Sequence, residues 1–165
     1  MTLETHCTYC GQPHSDSAWP RRCPGCSRTT YKNPTPVAVM LLPVRDPVGL
    51  VVIRRGVEPQ VGELALPGGY VDWEESWQEA GAREVREETG FALDPTTITT
   101  FDVASPSNGR TVLIFGLAEP IDRADLPAFE ATNETTERTI IEAPVPMAFP
   151  LHTRAVEAFF EAGAS

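Results

Sequence analysis

A chain of 165 residues has room for one hydrophobic core and a small accessory module, and 41% hydrophobic with 22% charged residues is a globular rather than a disordered composition. A formal net charge of -10 argues against a nucleic-acid binder or a resident of an anionic membrane surface, because both partners call for clustered Lys and Arg. It leaves phosphate substrates open, since divalent cations can bridge two sets of negative charge.

The chain begins Met1-Thr-Leu-Glu-Thr-His, without a basic segment leading into an apolar one, so no secretory leader is expected. The longest apolar run, Val37 to Val44, is interrupted by Pro43 and is too short to span a bilayer. The expectation is a soluble cytoplasmic protein without a membrane partner. In that reducing compartment cysteines favour metal over disulfides. Cys7-x2-Cys10 and Cys23-x2-Cys26 are two knuckle-type pairs separated by twelve residues. Each pair can place two thiolates on one Zn²⁺, and two pairs close a tetrahedral site with no open position, which stabilises a fold rather than catalyses. Gly11 and Gly25 are expected to allow the tight turns, and His6 and His14 are bystanders.

The composition changes near residue 35, which predicts a zinc-binding module over 1–34 and an α/β domain over 35–165. Val37 to Val44 and Leu50 to Arg54 read as neighbouring strands of a hairpin. Leu64 to Leu66 is a further short strand, running into a tight loop at Pro67-Gly68-Gly69. Ser76 with Glu79 three residues on makes a capping box, and Gly90 is placed as a stop, so a helix is predicted over 77–89. Strands are predicted over 98–104 and 111–118, then loops from Glu119 to Met147 around a short strand at 139–141. A last helix is predicted over 153–162, with Ala155, Val156, Phe159 and Phe160 on its packed face.

Within the first predicted helix Glu84, Glu87 and Glu88 stand at i, i+3 and i+4, so their carboxylates share one face. They repel one another and sit in the half of the helix where the macrodipole disfavours negative charge. A solvated acidic face is the bland reading; a bound hard cation such as Mg²⁺ or Mn²⁺ would reverse both penalties and leave room for substrate phosphates. The segment Pro67 to Phe91, PGGYVDWEESWQEAGAREVREETGF, resembles the Nudix box, G-x5-E-x7-R-E-U-x-E-E-x-G-U. Gly69, Glu75, Arg83, Glu84, Val85, Glu87, Glu88, Gly90 and Phe91 occupy its fixed positions without a gap. Cys23 to Pro36, CPGCSRTTYKNPTP, is similar to the linker that joins a zinc ribbon to the catalytic domain in several Nudix enzymes, including NADH pyrophosphatases and a group acting on ADP-ribose and FAD.

The resemblance implies an α/β/α sandwich with a mixed sheet behind an N-terminal zinc ribbon, and metal-dependent hydrolysis of a pyrophosphate inside a nucleotide derivative. It implies Glu84 and Glu88 as Mg²⁺ or Mn²⁺ ligands, Glu87 as a ligand or the partner of one, and the Gly69 carbonyl as a further ligand. Arg83 would orient the carboxylates, an ordinary helix ion pair with Glu87 being the alternative, and Glu75 would be structural. Glu134 and Glu137 sit where related enzymes carry an E-x-x-E element, and Glu137 is favoured as the extra ligand or general base.

Arg54 and Arg55, ending the second strand, are candidate contacts to substrate phosphates, a strand-end surface role being the other reading. Trp73, Trp77 and Phe101 could stack a base or simply pack. The stretch Val103 to Asn108 lacks the Gln-Pro-Trp of NADH pyrophosphatases, so a small-molecule nucleoside diphosphate such as ADP-ribose or FAD is favoured over NADH. A non-catalytic nucleotide-sensing protein is the alternative, and Arg21, Arg22, Arg28 and Lys32 could form a local basic patch. Family resemblance also implies a homodimer.

Overall fold

In the computed structural model, which describes residues 5–14 and 17–163, the chain divides between Pro34 and Thr35 into two units. The first unit is built on two similar loops. Gly11 N–H donates to the Cys7 carbonyl at 2.9 Å, and Ser27 N–H donates to the Cys23 carbonyl at 2.8 Å. The residue four places after the first cysteine of each pair takes the left-handed conformation, Gly11 at φ 74° and Ser27 at φ 61°. Gly25, expected to supply that turn, does not take the left-handed conformation; the Gln12 side-chain amide lies where its Cβ would be. Strands β1 (Arg21–Arg22) and β2 (Thr29–Thr30) pair antiparallel behind the loops. Three of the four basic residues lie over aromatic rings, Arg21 and Lys32 on Trp19 and Arg28 on Tyr9.

The second unit contains two four-stranded sheets. β3 (Thr35–Leu41) lies inside a mixed sheet, parallel to β9 (Thr111–Leu117) and antiparallel to β7 (Gly68–Tyr70), with β8 (Thr99–Ala104) beyond β9. The other sheet is antiparallel, with β5 (Gly49–Arg55) flanked by β10 (Thr135–Ile141), β4 (Pro43–Val44) and β6 (Leu64–Ala65). The expected hairpin therefore shrinks to β4 and β5. β3 ends at Leu41, Pro43 cannot donate to its ladder, and the chain passes there from one sheet to the other.

The side chains of β3 alternate between two cores, which is why its sequence reads as an unbroken apolar run. Val39 and Leu41 pack with Leu50, Val52 and Phe115 against Ala155 and Val156 of helix α2 (Pro150–Gly163). Met40 and Leu42 pack with Val51 and Ile98 against Val85 of helix α1 (Trp77–Thr89). One helix covers each face, giving the expected layered α/β architecture with a mixed sheet.

Helix α1 has the predicted limits. Ser76 Oγ accepts from Glu79 N–H at 3.2 Å, the Glu79 carboxylate accepts from Ser76 N–H at 2.7 Å, and Gly90 closes the helix at φ 78°. Three other expectations are corrected. Gly68–Tyr70 is a strand on β3, not a loop, because glycine lets the two backbones approach where a Cβ at Gly68 would strike the Ala38 carbonyl. β10 covers Thr135–Ile141, a polar segment that becomes a strand by pairing with β5. α2 begins at Pro150, three residues early, since the fixed φ of proline suits a first helical turn. Among the described residues no helix is long and apolar enough to cross a membrane.

Candidate active site

The C-terminal half of α1 faces β7, and the carboxylates line up along that contact. Glu88 accepts from Gly68 N–H at 2.9 Å. Burial drives its carboxyl up to about 8, with repulsion from Glu84 and Glu134 adding to the effect and Arg55 opposing it. Burial also raises Glu84, against the pull of Arg83. The Glu84 carboxylate occupies the space that a Cβ at Gly69 would fill, so a larger residue there would displace it. Glu87 is about half exposed.

Arg83 organises this row. Its guanidinium holds Glu75 with two donors, Nη2 at 2.9 Å and Nε at 3.3 Å, and donates through Nη1 to Glu84 at 2.7 Å and Glu87 at 3.5 Å. Nη2 also donates to the Tyr70 carbonyl at 3.0 Å, tying helix to strand. Glu75, expected to be structural, is the clamp on Arg83, which holds its carboxyl below the usual range. The helix-end penalty on these carboxylates is met from outside: Arg138 on β10 donates to the Thr89 carbonyl in the last turn of α1. Nothing in the sequence paired Arg138 with that helix.

Beside the row opens a cavity of about 510 Å³, within the range of small-molecule sites. Glu88, Gly68 and Gly69 form one part of its wall; Arg55, Phe149 and His152 are among the residues of the rest.

This constellation of carboxylates on one helix face, a glycine pair on the facing strand and an adjoining cavity accompanies a match to the NUDIX domain model over residues 34–143. The chain belongs to the Nudix family. No curated protein matches it. A MutT/nudix family protein from Enterococcus faecalis is similar at 27% identity and a TM-score of 0.58, over 67% of this chain and 44% of that one. A NUDIX hydrolase from Nitrosomonas europaea shares the fold over 95% of this chain and 90% of its own, at 21% identity and a TM-score of 0.74. A bifunctional NMN adenylyltransferase/ADP ribose pyrophosphatase from Francisella tularensis, complexed with AMP and a manganese ion, matches at 25% identity and a TM-score of 0.53, over 67% of this chain and 34% of that protein. The chain thus spans less than half of the Enterococcus and Francisella proteins.

In this Nudix protein the two arginines at the end of β5 separate. Arg54 is tied to Glu137 at 2.6 Å and to the Gly62 carbonyl at 2.7 Å. Arg55 lines the cavity, lies over the Phe149 ring at 5.1 Å and donates to the Pro59 carbonyl at 2.8 Å. The two acidic residues at the start of β10, Glu134 just before the strand and Glu137 within it, separate likewise: the charge of Glu134 is felt by Glu84 and Glu88, while Glu137 engages Arg54. A register shift between Thr135 and Glu137 breaks simple alternation along the strand. Trp77 and Phe101 pack against the two cores, Trp73 is exposed, and Pro106 and Asn108 line the cavity. His152 is a cavity residue that sequence reading missed, because it falls just ahead of the periodic pattern of α2.

The four cysteines of the first unit bring their sulfurs within 4.8 Å of one another. Cys7 and Cys26 are 3.7 Å apart, and Cys10 and Cys23 are 3.6 Å apart. A tetrahedral zinc with Zn–S bonds of about 2.3 Å requires sulfurs about 3.8 Å apart. The cluster has that size, and neither His6 nor His14 belongs to it.

Proposed function

We propose that this Nudix hydrolase cleaves the pyrophosphate of a nucleoside diphosphate linked to another moiety, with Mg²⁺ or Mn²⁺, releasing a nucleoside monophosphate. ADP-ribose or FAD is the favoured substrate and NADH the second. The observation that carries the reading is the largely buried pair Glu84 and Glu88, the second of them in the cavity wall, an excess of negative charge for which Arg83 is the one side-chain cation hydrogen-bonded among the described residues. Such a row fits a hard cation, because burial without compensation would neutralise it.

Glu84 and Glu88, with the Gly69 carbonyl and Glu87 beside them, would hold the cation. Bound there, it would neutralise phosphate charge and acidify a water. Arg83 fixes the direction of Glu84 and is itself fixed by Glu75. Arg55, which lines the cavity, would receive a substrate phosphate oxygen; Arg54 is ion-paired to Glu137. Glu134, whose charge raises Glu84 and Glu88, is favoured over Glu137, which is ion-paired to Arg54, as the group that would accept the proton of the attacking water. The ADP-ribose activity named for the Francisella relative supports the choice of substrate. We assign the unit ending at Pro34 as a structural zinc ribbon and the unit from Thr35 as the hydrolase domain.

A Mg²⁺-dependent hydrolysis screen over ADP-ribose, FAD, NADH, diadenosine polyphosphates and oxidised nucleoside triphosphates, with product identification, tests the reading. One dominant substrate yielding AMP is expected. No turnover with either Mg²⁺ or Mn²⁺ would refute it.

A further inference from the structure

His152 stands in the first turn of α2 and is 6% exposed, yet it lines the cavity. Its Nδ1 accepts from the backbone N–H of Leu66 at 3.3 Å. A flipped ring would set carbon against that buried donor and leave it unpaired, so the orientation is fixed by the backbone. With Nδ1 accepting, a neutral imidazole must carry its hydrogen on Nε2. No protein group among the described residues accepts from Nε2, and the atom is not sealed from solvent. The ring is further held by Phe115, edge-on with centroids 5.9 Å apart, and by Phe149 at 5.1 Å. A donor fixed in direction at the cavity wall takes water while the cavity is empty and is ready to exchange it for an acceptor on a ligand.

We propose that the His152 Nε2–H is a substrate contact that donates to an uncharged acceptor, a ring nitrogen or carbonyl oxygen, on the nucleobase of the bound nucleotide. This rests on the reading of the cavity as a nucleotide site. Burial, reinforced by the charge of Arg55, holds the imidazole down to about 4, so it stays neutral and suits a neutral acceptor better than a phosphate. The lining agrees: Val39, Leu66, Leu113 and Phe149 offer apolar wall for a flat ring, while the carboxylate row and Arg55 attend to the charged end. The pocket has the form of an apolar slot with one fixed polar group, which sets orientation and specificity.

The test uses the full chain with Mg²⁺ and calorimetric titration of AMP, GMP, CMP, UMP and ribose 5-phosphate, the last lacking a base. H152N keeps an oxygen near the Nδ1 position for Leu66 N–H but removes the outer donor; H152Q keeps a donor near the Nε2 position. In H152N the preferred nucleotide should bind about tenfold more weakly, the usual scale for a lost neutral hydrogen bond, with ribose 5-phosphate unchanged. H152Q should recover most of the loss. Nucleotide affinity unchanged in H152N, or equal weakening of ribose 5-phosphate, would overturn the assignment. In the wild type, ¹⁵N NMR should show Nε2 protonated in the free protein and shifted on adding the preferred nucleotide. An Nδ1-protonated ring or an unmoved Nε2 would overturn it without any variant. Hydrolysis by wild type alongside a negative binding result removes the role of His152 alone. Absence of hydrolysis removes the hydrolase reading itself.

Discussion

Glu88→Gln separates what the carboxylate does for chemistry from what it costs the fold. Without a cation, the Glu88 carboxyl is pushed from 4.5 to about 8 by burial. A folded-state value above the unfolded one means that its contribution is favourable below about pH 4.5 and is lost as pH rises toward 8. At pH 7 the unfolded chain has released the proton and the native state has not, a difference of about 3 kcal/mol against folding. Gln keeps an oxygen for Gly68 N–H and has no charge to desolvate. Free of Mg²⁺ and Mn²⁺, E88Q should therefore be about 2–3 kcal/mol more stable than wild type at pH 7, a rise of about 5–10 °C in melting temperature. The difference should vanish near pH 4. The assay is thermal or urea unfolding of protein dialysed free of Mg²⁺, without a chelator that would strip the cysteine cluster. Adding Mg²⁺ should stabilise wild type and not the variant, while turnover by E88Q falls at least about a hundredfold. A variant no more stable than wild type at pH 7, with the same pH slope, would refute the account of Glu88 as a carboxylate held in place for a cation.

Three further outcomes follow from the same geometry. Arg83→Lys should lower kcat about 10–100-fold, because an ammonium cannot hold Glu75 with two donors while reaching Glu84; wild-type rates in R83K would remove Arg83 from the positioning role. Steady-state kinetics of Glu134→Gln and Glu137→Gln should differ, with E134Q losing about a hundredfold or more in kcat and E137Q far less; the reverse order would return the base to Glu137. Cys10→Ser should lower zinc content, measured by metal analysis, and destabilise the N-terminal unit; unchanged stoichiometry would count against a ribbon.

The local features of this chain were legible because local chemistry causes them. The Ser76–Glu79 box and Gly90 set the limits of α1, since caps act within one helical turn. The 3.6-residue period put Glu84, Glu87 and Glu88 on one face, and the two Cys-x2-Cys pairs pointed to their own cluster. What the sequence could not decide is which distant segments meet. β3 and β5 looked like a hairpin, but each faces a different sheet, and that partition depends on partners β9 and β10, more than 70 residues away. The Gly68-Gly69 strand exists only because β3 receives it. Pairing of β10 with β5 set Glu137 opposite Arg54, and strand alternation sent Arg55 alone to the cavity. His152 carries no motif at all; its fixed tautomer arises from a backbone N–H 86 residues earlier in the chain. By itself the sequence determined the helix, its charge row and the cysteine site, each within reach of a few bonds. The tertiary structure alone decided the cavity and its polar contacts, because long-range pairing and burial choose them.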